Sequence, residues 1–480
     1  MVMTETSAPA PAAAPAPGIN RKVIAITIGA ALGGFLFGFD SSVINGAVDS
    51  IQADFALSEA VTGFAVASAL LGCAVGAWFA GGLANRWGRT RVMVISAIVF
   101  FVSAFGAGLS FGLWDLILWR VLGGLAIGAA SVIAPAYIAE VAPAKYRGRL
   151  GSLQQMAIVL GIFAALLSDQ MLQSAAGGAD NDLWLGLEAW RWMFIVGAIP
   201  AIIYGFTALR LPESPRYLVA KQRLEEAASV LRAYTGEKNV DDKVNEITAS
   251  LGDDKKQSLS DLRGTSFGLK PIVWAGIILA ALQQLVGINV IFYYSTTLWK
   301  SVGFSEDDAF LTSTITSVTN IVVTVIAILL VDKIGRRRLL LIGSVGMFFS
   351  LALMSVAFSN ATIGADGSAI LSGNWAMTAF YAANGFVVFF GATWGPVVWV
   401  LLGEMFPNSI RASALAVAAA AQWLANFAVT VTFPSLSSFS LPLAYGIYAF
   451  MAAVSFFFVW KRIAETKGKE LEAMTDSVNV

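Results

Sequence analysis

The chain has 480 residues, 57% of them hydrophobic and only 13% charged, with Lys plus Arg balancing Asp plus Glu at 31 each. A soluble domain carries about a quarter charged residues, so lipid is the first solvent to consider, and zero net charge removes the electrostatic case for a nucleic-acid partner. His is absent and Cys73 is the single cysteine. That argues against imidazole or thiol catalysis and against an internal disulfide, and the sequence offers no metal-ligand cluster or nucleophile–base pair, so no enzyme, metal or cofactor is expected.

Residues 1–18 are rich in Pro and Ala without the basic region and apolar core of a signal peptide, which predicts a disordered cytoplasmic tail. Apolar runs long enough to cross a bilayer, about 20 residues each, then recur. Twelve of them start near Val23, Glu59, Val92, Leu113, Leu150 and Trp192, then Pro271, Ala309, Leu339, Trp375, Ala412 and Leu441. Lipid leaves no water for backbone groups, so these spans should all be helices. With a cytoplasmic N-terminus, all Lys and Arg except Arg120, Arg191 and Lys300 fall on inner segments. That asymmetry sets both termini inside a cell membrane, plasma or inner.

Three echoes reveal a duplication. Asn85-Arg86-Trp87-Gly88-Arg89 returns as Asp332-Lys333-Ile334-Gly335-Arg336. Glu140 and Arg147 return with the same spacing as Glu404 and Arg411, and Pro212-Glu213-Ser214 returns as Ala464-Glu465-Thr466. The expectation is an all-α membrane protein of twelve helices. It comprises an N-terminal six-helix half (19–211), a cytoplasmic linker (212–268), a second six-helix half (269–463) and a cytoplasmic tail (464–480). In the linker Leu224, Ala227, Ala228 and Leu231 recur at helical spacing among charges, which predicts short amphipathic helices. Parallel halves of this kind hold a site near the membrane midplane and rock around it.

Polar side chains are sparse in the spans and cluster at Gln154 and Gln155; at Gln283, Gln284, Asn289, Tyr293 and Tyr294; at Asn320; and at Gln422, Trp423 and Asn426. Amides both donate and accept, which suits a neutral polyol better than an ion, and aromatic rings suit its apolar faces. On a straight helix Gln284 and Asn289 would lie about 140° apart. A bend at Gly287 would bring both to one cavity. Asp40 and Arg120 read as the only acid and base deep in the spans, where such residues are functional by default. At about 1.5 Å per residue, Asp40 lies about 13 Å below Asp49 and Arg120 about 8 Å below Asp115, a difference within the reach of an arginine.

The segments Asn85–Arg89, Pro212-Glu213-Ser214-Pro215-Arg216-Tyr217-Leu218, Gln283-Gln284-Leu285-Val286-Gly287-Ile288-Asn289 and Glu465-Thr466-Lys467-Gly468 resemble the signatures of the sugar porter family of the major facilitator superfamily. Asn85 fits the sugar porters, whereas the wider superfamily typically has Asp there; Ala464, where the signature usually has Pro, departs from it. Trp394-Gly395-Pro396-Val397-Val398-Trp399 and Gln422-Trp423-Leu424-Ala425-Asn426 look most like bacterial sugar–proton symporters such as the xylose–proton symporter, although Ile162 stands where that symporter carries a further Gln.

The resemblance implies a proton-coupled symporter that imports a monosaccharide, a hexose or pentose such as glucose or xylose, and works as a monomer. A passive facilitator and an inositol or polyol–proton symporter stay open as alternatives. Substrate contacts by resemblance are Gln155, Gln283, Gln284, Asn289, Asn320, Trp399, Gln422 and Trp423, with Phe37 and Tyr293 as wall or gate. Asp40 would carry the coupled proton with Arg120 as partner. Arg89, Glu140, Arg147 and Glu213, with Arg336, Glu404, Arg411 and Glu465, would latch the halves on the cytoplasmic side when the carrier faces outward.

Overall fold

The computed structural model describes residues 21–142, 147–235, 239–253, 259–363, 369–371, 373–407 and 410–466. Both tails expected from the sequence, 1–18 and most of 464–480, lie outside them. The first half comprises α1 (Arg21–Val43), the short α2 (Val48–Asp54), α3 (Glu59–Trp87), α4 (Arg89–Gly108), α5 (Leu113–Val141) and α6 (Arg147–Ala176). Its sixth crossing is made of α7 (Ala189–Val196) and α8 (Ala198–Arg210). The second half comprises α12 (Pro271–Leu285), α13 (Ile288–Tyr293), α14 (Ser295–Ser301), α15 (Glu306–Ile334), α16 (Arg336–Ser359), α17 (Asn374–Phe389), α18 (Gly395–Met405) and α19 (Arg411–Arg462). α19 is two spans merged, because Ser440 is extended within it and Pro442 follows. Among the described residues 11 helices are long and apolar enough to cross a membrane, and that division makes twelve crossings.

Between the halves, α9 (Pro215–Ala220), α10 (Leu224–Val230) and α11 (Val240–Asp253) form the expected short helices. Their apolar side closes on itself: Tyr217, Leu218, Val219, Ala227, Leu231, Val240 and Val244 make a separate cluster. Leu224 faces out, so the stripe is narrower than its spacing predicts.

Glycine sets how closely the spans pack. A Cβ on Gly72 or Gly76 of α3 would strike the backbone of α5, and one on Gly124 or Gly128 of α5 would strike α3 in return. Lipid gives no hydrophobic drive between helices, so such close approach is what binds them. The breaks matter as much for the site. Gly287 adopts φ 83°, which separates α12 from α13. In the tenth span a π turn, Phe390–Trp394, precedes Gly395-Pro396, and the two together account for its kink.

Candidate functional site

The bend at Gly287 turns α13 so that Asn289 Nδ2 donates to Gln284 Oε1 at 2.5 Å. Gln284 Nε2 in turn reaches Gln283 Oε1 at 3.5 Å, and Gln422 Nε2 of α19 donates to the same oxygen at 3.0 Å. Gln283 Nε2 donates to the carbonyls of Trp394 and Gly395 at 2.9 and 3.2 Å. An amide chain therefore ties α12, α13 and α19 to the break before α18. Gln422 Oε1 is buried without a hydrogen-bond partner among the described residues.

Aromatic groups border this chain. Trp423 meets Phe37 of the first half edge to face, with ring centres 5.5 Å apart. Tyr293 is buried against Asn426 of α19 and Ser41 of α1. Asn320 is buried and directs its oxygen at Gly391 in the π turn. Gln155 is half-buried on α6 and Trp399 is exposed on α18, and neither has a described bond to the amide chain. The tryptophan that does bond to it, through its carbonyl, is Trp394.

Arg120 Nη1 donates to Asp40 Oδ1 at 3.1 Å and to its main-chain oxygen at 3.4 Å, with both residues buried. The pairing expected from depth is thus formed. The guanidinium also lies over the Phe194 ring. Two small cavities, each with room for about one water, border the pair. One is lined in part by Ser103, Trp119 and Phe194; the other runs past Ser41 and Cys73 to Tyr293. One sequence expectation is corrected: Asp40 is not the only acid deep in the spans. Asp169 is fully buried in α6. α6 continues to Ala176, so Asp169 lies two turns inside a helix that a 20-residue count from Leu150 would end at that residue.

At the face bearing Asp49 and Lys300, here called outer, hydrogen bonds join the halves. Asn45, in the 3₁₀ turn Ile44–Gly46, donates to Ser295 Oγ at 3.2 Å. Its side-chain oxygen accepts from the Thr296 amide at 3.1 Å, and its main-chain carbonyl accepts from the Thr296 hydroxyl at 2.5 Å. Lys300 pairs with Asp49 at 2.8 Å, Gln173 donates to Asp307 at 3.0 Å, and the Ala179 amide donates to Glu306 at 3.1 Å. Sequence reading missed Asn45, Ser295 and Thr296, since lone small polar residues in apolar spans are commonplace. Lys300 stood out only as a base on the wrong side.

At the opposite face the described ion pairs lie within one half each. Arg89 forks onto Glu140 at 2.8 and 3.0 Å, while Glu213 accepts from the Arg89 and Thr90 amides and so caps α4. In the second half Arg336 pairs with Glu404 at 2.8 Å, and Glu465 accepts from the Arg336 and Arg337 amides to cap α16. Gly88 and Gly335, at φ 98° and 101°, leave room for those two caps. Arg411 holds the Phe406 carbonyl at 3.1 Å, and the Arg147 side chain lies outside the described residues. The described ion pairs here therefore join no residue of one half to the other.

The family described as "Sugar (and other) transporter" matches residues 26–477. The "Glucose transport protein" of a Synechocystis strain is 52% identical over 458 residues, which cover 95% of this chain and 97% of that protein. The "D-xylose-proton symporter" of Escherichia coli is 37% identical, with 95% of each chain covered. Among solved structures, the Escherichia coli xylose transporter in its inward open conformation superposes with TM-score 0.79 at 35% identity, covering 94% of this chain and 99% of that one. Its partially occluded inward open form gives TM-score 0.81 at the same identity, covering 94% of this chain and 100% of that one.

Proposed function

This chain belongs to the sugar porter family of the major facilitator superfamily, and from that premise we propose that it is a proton-coupled symporter importing a monosaccharide by alternating access. It is a multi-pass membrane protein and not an enzyme. The cargo is a hexose or pentose, glucose or xylose first, because relatives named for each cover nearly the whole chain. Both termini face the cytoplasm of a bacterial-type cell membrane, on the distribution of bases, and one copy suffices for transport because one chain holds both halves.

The observation that carries the coupled reading is the Asp40–Arg120 pair, bordered by the cavity that reaches Tyr293. Proton arrival at Asp40 cancels its charge and frees Arg120, so proton occupancy biases the exchange between outward and inward forms. Sugar hydroxyls bond to the amides of Gln283, Gln284, Asn289 and Gln422, with Gln155 and Asn320 completing the ring of amides and Trp399 and Trp423 packing on the sugar's apolar faces. The free acceptor at Gln422 supports this. A purely structural amide chain would leave that atom unpaired at a cost of about 1–3 kcal/mol, which a sugar hydroxyl removes. Phe37 and Tyr293 close over the cargo.

The outer bonds between the halves and the ion pairs described within each half at the inner face support an inward-facing form. In the outward form Arg89, Glu140, Arg147 and Glu213 meet Arg336, Glu404, Arg411 and Glu465 across the inner face and latch it. Uptake of labelled glucose, xylose, galactose and inositol by reconstituted vesicles, with and without an imposed proton gradient, tests cargo and coupling together. Gradient-dependent accumulation of one monosaccharide supports the proposal. Accumulation of none above equilibrium would leave a passive facilitator.

A further inference from the structure

Asp169 has no place in the coupling scheme above, yet it is fully buried, and neither carboxyl oxygen has a side-chain hydrogen-bond partner among the described residues. The backbone of Gly46 is the polar group turned towards it. Gly46 also makes room for it: a Cβ there would lie 3.0 Å from both Asp169 Cβ and Oδ2, and 2.7 Å from the sulfur of Met193.

The turn packed on Asp169 is part of the outer closure. Gly46 follows Asn45, whose bonds to Ser295 and Thr296 cross between the halves. One turn beyond Asp169 on the same helix, Gln173 makes its own cross-half bond to Asp307. Opening the outer face would pull α6 from α15 and the Asn45 turn from α14, and so loosen the turn that packs on Asp169.

The charges on neighbouring elements are committed elsewhere. On α1 and α5, Asp40 and Arg120 hold each other; on α7, Arg191 holds Glu188 and Asp54. On α15, Glu306 accepts from the Ala179 amide and Asp307 from Gln173, while Asp308 is bonded to Ser305. The turn Ile44–Gly46 carries no ionisable side chain. A dry carboxylate with no cation beside it is prohibitively costly, whereas the neutral acid is not.

We propose that Asp169 is a second protonation site of the carrier, an outer-gate sensor that takes up a proton from the outside as the gate closes over it. The proposal rests on the symporter reading for its purpose but not for its test, since the gate can be followed without sugar or gradient. External acid then favours closure independently of Asp40, by up to about tenfold in the closed-to-open ratio per pH unit for one proton.

The test uses the full chain in lipid nanodiscs, with Cys73→Ser and spin labels on Phe111→Cys and Asn360→Cys, two exposed outer positions on opposite halves. Pulsed electron resonance reads the distance between them across pH. The wild type should shift towards the short, closed distance as pH falls, and Asp40→Asn should keep that shift. In the Asp40→Asn background, Asp169→Asn, neutral and of the same shape, should abolish the shift and stay closed at every pH. Asp169→Ser serves if the Asn variant fails to reach the membrane. Infrared spectra in the Asp40→Asn background should show a protonated-carboxyl band that Asp169→Asn removes. A pH shift unchanged by Asp169→Asn, or a wild type without any shift, overturns the proposal; so does an infrared spectrum in which Asp169→Asn removes no band.

Discussion

Gln283 of α12 donates its side-chain amide to the main-chain carbonyl of Trp394 at 2.9 Å, across the break that opens α18. That bond fixes the rotamer of Gln283 and aims its oxygen at Gln422, so the amide chain is held by backbone rather than by flexible side chains alone.

Removing members of that chain should weaken sugar binding without unfolding the protein. Gln283→Ala and Asn289→Ala each strand polar partners in a dry site at a cost of about 1–3 kcal/mol, which is roughly fivefold to over a hundredfold in apparent KM. Vesicle uptake kinetics check this, and wild-type KM in both variants would move the site elsewhere.

Gly287→Ala should damage the site through the backbone. At φ 83° an L side chain costs about 1–2 kcal/mol, and the new methyl would sit 2.7 Å from the Tyr448 ring. Both binding by calorimetry and Tm should fall. Gly81→Ala is the control, because a Cβ there meets nothing within 4 Å.

The outer ion pair should contribute modestly and at a defined pH. Burial works against the Lys300 charge, but the Asp49 carboxylate together with Glu306 and Asp180 outweighs it, and the lysine ends above its ordinary pKa. A raised lysine pKa stabilises closure below the ordinary lysine value and loses that stabilisation as pH rises through the raised one. Asp49→Asn should therefore shift the closed fraction by roughly 1.5- to 5-fold, matching about 0.2–1 kcal/mol for a partly exposed pair. The difference from wild type should stay constant from about pH 6 to pH 9. Spin-label distances across the outer face measure it; a difference that vanishes by neutral pH would contradict the assignment.

The inner latch predicts a directional bias. Glu140→Ala and Glu404→Ala remove the partners of Arg89 and Arg336. Each should raise the inward-facing fraction and slow uptake, read as faster labelling of cysteines introduced one at a time at the cytoplasmic face. Unchanged labelling would reduce both pairs to helix packing.

Much of this was legible in the sequence for identifiable reasons. Twelve spans follow from hydropathy, and the duplicated Gly88-Arg89 and Gly335-Arg336 turns follow from repeated motifs. The Asp40–Arg120 contact follows from helical rise, since two buried charges at matching depth must find each other. The bend joining Gln284 to Asn289 follows from Gly287, which alone in that segment tolerates a positive φ. Asp169 was hidden because apolar runs fix a span's start better than its end. The Trp394 acceptor and the Asn45 clasp were hidden because they depend on which backbone groups the breaks leave available, and no side-chain pattern encodes that.

In the proposed transport cycle Asp40 carries the coupled proton. Asp40→Asn keeps the side chain's shape and cannot titrate, so gradient-driven accumulation and counterflow exchange should be measured on it in the same vesicles. Accumulation against a gradient should be lost while counterflow and sugar binding persist. If Asp40→Asn still concentrates sugar in a proton-dependent manner, the coupling site lies elsewhere and the Asp40–Arg120 pair is structural.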